Sequence, residues 1–231
     1  MEINKIYNID CIQGIKNIPK DIINPIIVTD PPFNIGYKYN SYNDNKTDDE
    51  YYEWLQNIFC NYHFVVIHYP ESIYRISFQM GLFPNRIISW VYNSNTSRQH
   101  RDIGFFGVSP NFSQIRQPYK NLGDKRIQER IKNGHVGSKL YDWFEINQVK
   151  NVSAEKTEHP CQMPIQVMRN IIGLLPYECT IIEPFTGSGT TICAIQDMNT
   201  IQNCNRKFIG FEIDKKYFDI ANKRIFNNRY L

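Results

Sequence analysis

The 231-residue chain has little of several features that would settle its class at once. Its apolar stretches are short, of the kind Phe64-Val65-Val66-Ile67, and none approaches the length of a membrane-spanning helix. The start carries Glu2 and Lys5 and lacks a basic segment followed by an apolar one. Neither membrane insertion nor secretion is therefore expected, and the chain reads as cytoplasmic. Its six cysteines lie far apart with no C-x-x-C pair, so they read as reduced thiols of an intracellular protein. Histidines, cysteines and carboxylates show no metal-ligand spacing, and no metal is expected. The formal net charge is only +3, from 26 Lys and Arg against 23 Asp and Glu, which barely hints at a nucleic-acid partner. What is present is apolar material, 42% hydrophobic and 14% aromatic, enough for a real core in one domain over 1–231.

Short apolar strands alternate with amphipathic helical stretches, which predicts an α/β fold with a mostly parallel, doubly wound sheet. Strands are expected at Ile3–Ile9, Pro25–Thr29, His63–His68, Arg86–Tyr92, Cys179–Ile182 and Lys207–Phe211. Helices are expected near Cys11–Ile18, from a cap at Asp48 or Asp49 through Tyr62, and at Glu71–Met80, Pro164–Leu175, Thr190–Met198 and Lys215–Phe226. Residues 34–46 read as a loop over the sheet's C-terminal edge. Between 93 and 158 no strong period holds, and this stretch is expected to be an inserted module.

Near the C-terminus a strand runs into Glu183-Pro184-Phe185-Thr186-Gly187-Ser188-Gly189-Thr190, a G-x-G turn that opens a helix. Small residues let backbone approach a ligand, and the helix start offers free N–H groups. A phosphate-binding P-loop would need a lysine that is absent, and a dinucleotide fingerprint would need glycine where Ile192 stands. Glu212, at the end of the next strand, is placed to grip ribose hydroxyls. A plain strand-to-helix turn with a solvated Glu212 explains either feature alone. The two together favour a cofactor, and the turn resembles the S-adenosylmethionine site of Rossmann-like methyltransferases.

The stretch Asp30-Pro31-Pro32-Phe33-Asn34-Ile35-Gly36-Tyr37 follows a buried strand. A rigid Pro-Pro loop would account for the tetrapeptide by itself, but at the C-terminal edge of a parallel sheet this turn lies where ligands bind. An exocyclic amino group is a poor nucleophile because its lone pair is delocalised into the ring. Asp30 and the Pro31 carbonyl can each accept one amino proton, pulling the nitrogen toward tetrahedral geometry, and Phe33 can stack on an extruded base.

The Asp-Pro-Pro-Phe motif near the N-terminus, joined to the F-x-G-x-G turn near the C-terminus, resembles the amino-group DNA methyltransferases in their permuted beta-class order. That resemblance implies methyl transfer from S-adenosylmethionine to N6 of adenine in double-stranded DNA, since cytosine-N4 enzymes more often carry serine in place of Asp30. The alternatives are N4-cytosine methylation and a non-catalytic DNA-binding module on the same fold. The resemblance places catalysis at Asp30, Pro31, Pro32 and Phe33. It places the cofactor on Asp10, Cys11, Asp30, His159, Pro160, Glu183, Phe185, Thr186, Gly187, Ser188, Gly189, Thr190 and Glu212. The segment Asn8-Ile9-Asp10-Cys11 resembles the part that holds the cofactor's adenine, although Asp10 also suits a helix cap. Glu158 to Pro164 resembles an H-P-x-Q-K-P element beside the cofactor's methionine end. Met163 stands where that element has lysine, so the lysine's contact to the cofactor carboxylate is not carried over.

From Arg86 to Lys150 there are 11 Lys and Arg against 5 Asp and Glu, a net of +6, which leaves −3 for the rest. The inserted region is therefore expected to be the target-recognition region. Arg98, Arg101, Arg116, Lys120, Lys125, Arg126 and Lys139, with Asn34 and Tyr37 beside the motif, are the expected DNA contacts. A soluble surface region with a small aromatic core is the alternative. A homodimer and a separate cognate restriction endonuclease fit the resemblance.

Overall fold

The computed structural model describes residues 1–228. In chain order the elements are β1 (Lys5–Tyr7), α1 (Cys11–Lys16), β2 (Pro25–Thr29), α2 (Asp48–Phe59), β3 (His63–His68), α3 (Pro70–Met80), β4 (Arg86–Val91), β5 (His100–Phe106) and β6 (Arg116–Gln117). They continue with α4 (Lys125–Lys132), β7 (Ser138–Lys139), β8 (Trp143–Glu145), α5 (Ile165–Gly173), β9 (Thr180–Glu183), α6 (Thr190–Gln202), β10 (Lys207–Phe211) and α7 (Lys215–Asn228).

Eight strands form one sheet in the order β1-β10-β9-β2-β3-β5-β4-β8, and β6 pairs with β7 in a separate ribbon. The pairs from β1 to β3 are parallel. Parallel strands are covered on both faces, which is why these read as continuous apolar runs. Successive residues serve opposite cores, as strand geometry requires. Ile26, Val28, Val65 and Ile67 pack with Val167, Ile171, Ile192 and Ile195 of α5 and α6. Ile27, Phe64 and Val66 pack with Tyr51, Leu55, Ile58 and Ile73 of α2 and α3.

The stretch 93–158 is not a single inserted module. Residues 100–106 form β5, which is wedged antiparallel between β3 and β4, with Ile103, Phe105 and Phe106 fully buried. β8 extends the same sheet by pairing with β4. The excursion that leaves the sheet is thus 107–142, carrying the β6–β7 ribbon and α4. Sequence periodicity misses β5 because its first half, His100-Arg101-Asp102, is polar. Asp102 is satisfied there by the Ser89 hydroxyl at 2.8 Å.

The cap of α2 also differs from expectation. Thr47 takes the position, accepting from the Glu50 amide at 3.3 Å while the Glu50 carboxylate accepts from the Thr47 amide at 2.9 Å. Asp48 and Asp49 fall in the first turn, where the positive end of the helix dipole favours them.

The chain leaves β9 through α6 toward β10 and leaves β2 through α2 toward β3. These helices pack on opposite faces of the sheet. The adjacent pair β9 and β2 is therefore the switch point, and a crevice opens beyond their C-terminal ends. Among the described residues no helix is long and apolar enough to cross a membrane.

Candidate active site

Two acidic residues meet at the switch point. Glu183 ends β9, and Asp30 directly follows Thr29, the last residue of β2. The Thr29 hydroxyl donates to Glu183 Oε1 at 2.6 Å, stitching the two strands together. The Thr191 hydroxyl, from the first turn of α6, donates to Oε2 at 2.6 Å, and the Phe185 amide to Oε1 at 3.2 Å. Burial nevertheless pushes this carboxyl up to about 8, against the pull of those donors.

The glycine turn needs its glycines. Gly187 and Gly189 have φ of +52° and +80°, and a Cβ at Gly187 would lie 3.1 Å from His159 Nε2. The Gly187 amide donates to Glu212 Oε2 at 2.7 Å, and the Asp214 amide to Oε1 at 2.8 Å. Glu212 thus holds the turn and its own strand end, and burial raises its pKa. Gly189 caps α6 with no side-chain bond, so the helix start keeps amide donors for a ligand. His159 lies edge-on to Tyr217 at 4.5 Å, and its buried Nδ1 has no partner. Burial and then Lys156 lower its pKa to about 4, so the ring is neutral at pH 7. Asp10 caps α1 through Ile12 and Gln13 amides, with Cys11 buried behind it.

On the other side, Phe33 stacks on His68 with centroids 4.3 Å apart, and the Arg101 guanidinium lies 4.6 Å from the Phe33 centroid. The Tyr69 amide donates to His68 Nδ1 at 2.8 Å, which fixes the proton on Nε2. Nε2 then donates to the Tyr51 hydroxyl at 2.9 Å, and that hydroxyl donates to the Pro32 carbonyl at 2.6 Å. Burial lowers the His68 pKa to about 3, so this relay stays neutral. The loop over the cleft is tied by Asp44, which accepts from the amides of Asn34, Ile35 and Tyr37. Ser41 reaches across to Asp214 at 2.7 Å.

Of the expected cofactor residues, all except Gly189 line one cleft of about 570 Å³, a size that suits a small-molecule ligand. The four residues of Asp-Pro-Pro-Phe and Tyr37 line it too. Asn34 does not, since its side chain closes the loop onto Lys46. Arg101 sits on β5 inside the cleft, 3.7 Å from Asp30, apart from the surface cations with which it was grouped. Arg98 is paired with Glu71 and lies over Tyr69 at 4.1 Å, at the end of the sheet and away from the excursion. Arg116 and Lys139 face each other in the ribbon register, Lys120 lies 4.4 Å over Trp143, and Lys125 and Arg126 open the exposed α4. Sequence reasoning misses Thr29, Thr191, Tyr51 and His68. The two threonines flank motifs and were findable, whereas the Tyr51–His68 relay exists only in three dimensions.

The cleft fits a nucleoside-bearing cofactor. Asp30 Oδ1, Tyr42 Oη and His159 Nδ1 are buried polar atoms on its wall with no partner of their own. The DNA methylase family profile of N6/N4 methyltransferases matches residues 25–223, and the chain belongs to that family. It is an S-adenosylmethionine-dependent DNA methyltransferase. It is 28% identical to the Type II methyltransferase M.HpaI of Haemophilus parainfluenzae, over 94% of this chain and 72% of that one. It is 24% identical to the DNA adenine methyltransferase YhdJ of Escherichia coli strain K12, over 97% and 83%. The fold is that of the M1.HpyAVI–SAM complex, at a TM-score of 0.61 and 23% identity, covering 96% of this chain and 98% of that one.

Because the folded Glu183 pKa lies above its ordinary value, the folded state binds more protons than the unfolded state between about pH 4.5 and 8. Stability from this group is present at low pH and is lost as pH rises through 8. Glu183→Gln is expected to flatten the fall in urea stability between pH 5.5 and 7.5 by up to about 1.4 kcal/mol per pH unit. An unchanged slope would contradict this assignment.

Proposed function

We propose that the methyl acceptor is the N6 amino group of adenine, held by Asp30 and the Pro31 carbonyl with Phe33 against the extruded base. The observation that carries this is Asp30 Oδ1, a buried acceptor without a hydrogen-bond partner on the cleft wall. An acceptor of that kind is costly to bury unless a donor arrives with the ligand. The aspartate itself supports adenine over cytosine, and the similar Escherichia coli protein YhdJ is a DNA adenine methyltransferase.

The bound cofactor supplies an electrophilic methyl group on a sulfonium. Asp30 accepts one amino proton and the Pro31 carbonyl the other, which leaves the nitrogen lone pair free to attack. A methylated amino nitrogen would carry positive charge, and the Asp30 carboxylate is placed to take the proton it would then lose. The Tyr51 hydroxyl fixes the Pro32 carbonyl, and with it the motif backbone, while His68 backs the Phe33 ring. For the cofactor, Asp10 and the Cys11 amide are assigned the adenine, Glu212 the ribose, and the Gly187–Thr190 turn with His159 and Pro160 the amino-acid end. Thr186, Ser188, Phe185 and Glu183 shape that turn. The order of the two motifs along the chain supports the permuted beta class.

DNA recognition is assigned to the parts of 93–158 on the cleft side, 93–99 with Arg98 and 146–158, where Gln148 and Val149 line the cleft. The excursion 107–142 leaves β5 and enters β8 at the sheet edge opposite the cleft, anchored by the Asn111 amide on the Leu174 carbonyl at 2.9 Å, and its Arg126 is paired with Asp124 at 3.0 Å. The protein is proposed to work inside the cell, where its substrate is, as a homodimer and beside a separate cognate restriction endonuclease.

Asp30→Ala is expected to lower methyl incorporation into duplex DNA by at least about 100-fold, and mass spectrometry of digested wild-type product should show N6-methyladenine. N4-methylcytosine would overturn the base assignment, and background counts from both proteins would point to a binding module. Charge reversal at Arg98 and Lys150 should reduce the slope of log affinity against log salt by about 2 while cofactor affinity holds, and charge reversal at Lys125, Arg130 and Lys132 should leave it unchanged. A slope equal to wild type in the first variant would remove the segments beside the cleft from the interface.

A further inference from the structure

We propose that Arg101 is a positioning residue whose guanidinium keeps the Asp30 carboxylate ionised and leaves its lone pair free for the amino group of the target base. The proposal rests on Asp30 being the acceptor of the amino proton. Arg101 Nη1 lies 3.7 Å from Asp30 Oδ1. That separation is short for Coulomb attraction across a poorly hydrated gap and too long for a hydrogen bond. The cation therefore offsets the charge of Asp30 without occupying the oxygen that the substrate needs. Both partners show this reserve, since Asp30 Oδ1 and Arg101 Nε are buried with no hydrogen-bond partner.

The position of the guanidinium is set by the fold. Arg101 sits on β5 opposite Trp90 of β4, and its guanidinium carbon lies 4.6, 5.3 and 5.9 Å from the ring centroids of Phe33, Trp90 and Tyr92. Such aromatic walls hold a cation and exclude water around it. The opposite wall contributes no charge at this end. Met163, at the position where the resembled H-P-x-Q-K-P element carries lysine, is buried with its sulfur 3.8 Å from Arg101 Nη1. Lys46 also lines the cleft, but its ammonium lies over Tyr42 and Trp54.

The other titratable groups around Asp30 add no cation. Glu183 from β9 is held largely protonated below about pH 8, and Tyr51 of α2 and Tyr39 and Cys161 of the flanking loops all have raised pKa values. His68 at the end of β3 is neutral. Burial raises the Asp30 pKa to about 6 while Arg101 pulls it down. Removing the guanidinium therefore moves Asp30 further up, and the acid limb of the reaction moves to higher pH with it.

The test follows the Asp30 side-chain carbon by NMR titration in the DNA-free protein, in parallel with kcat/KM against pH. In Arg101→Gln the titration midpoint is expected to rise by about one unit, which lowers kcat/KM about fivefold at pH 6 and less than about twofold at pH 8. Arg101→Lys should keep the midpoint near wild type. An Asp30 midpoint that does not move in Arg101→Gln overturns the proposal. Should Arg101→Gln fail to fold, Arg101→Met keeps an unbranched side chain among the rings without the charge, and the midpoint should rise there as well. A midpoint that stays put there also overturns it. The titration needs no methyl transfer, so failure of the adenine reading, seen in the digested product, is distinguishable from failure of this one.

Discussion

The structure turns on a hydrogen bond between neighbouring strand ends, from the Thr29 hydroxyl to the Glu183 carboxyl at 2.6 Å. β2 and β9 belong to halves of the sheet that wind in opposite directions, and only their pairing brings the Asp-Pro-Pro-Phe turn beside the glycine turn. Everything the cleft does requires these two turns to keep a fixed separation. A carboxyl buried between two threonine hydroxyls and an amide provides that fixity, since leaving any of these groups unpaired in the crevice would cost about 1 to 3 kcal/mol. The same burial raises the pKa of Glu183, so it braces the site in large part as a neutral acid.

Around this joint the two halves carry separate tasks. The β9–β10 side presents backbone, with left-handed glycines, an open helix start and carboxylates that hold amides in place. The β2–β3 side presents flat rings, with Phe33, His68, Tyr69 and Tyr51 packed edge and face. Backbone donors suit a polar amino acid and ribose, whereas a ring ledge suits a base. β5 belongs to the second side, and it brings a cation into an otherwise acidic corner.

Most of the cleft lining was legible in the sequence because its residues are contiguous. Asp30 to Phe33 and Glu183 to Thr190 each sit on one sharp turn after one apolar strand, so local pattern and site coincide. The place of Arg101 in the cleft was hidden for the opposite reason. Its charge was read together with nearby basic residues of a region that lacks period, whereas in space it belongs with Asp30 and Trp90. The strand that carries it is half polar and antiparallel, which hides it from a search for buried parallel strands. The Tyr51–His68–Pro32 relay joins α2, β3 and the motif loop, and no spacing in the chain announces it. The +6 of residues 86–150 is divided in space, with Arg101 inside the cleft, Arg98 over Tyr69 beside it, and the cations of 107–142 at the opposite edge of the sheet.

The central claim is that the unpaired Asp30 oxygen receives the amino group of an extruded base. A crystal structure with duplex substrate and a cofactor analogue that cannot transfer methyl tests it most directly. The account predicts an adenine outside the stack, its N6 within hydrogen-bond distance of Asp30 and the Pro31 carbonyl and its ring against Phe33. A base bound elsewhere in the cleft, or one left in the helix with Asp30 still unpaired, would contradict it.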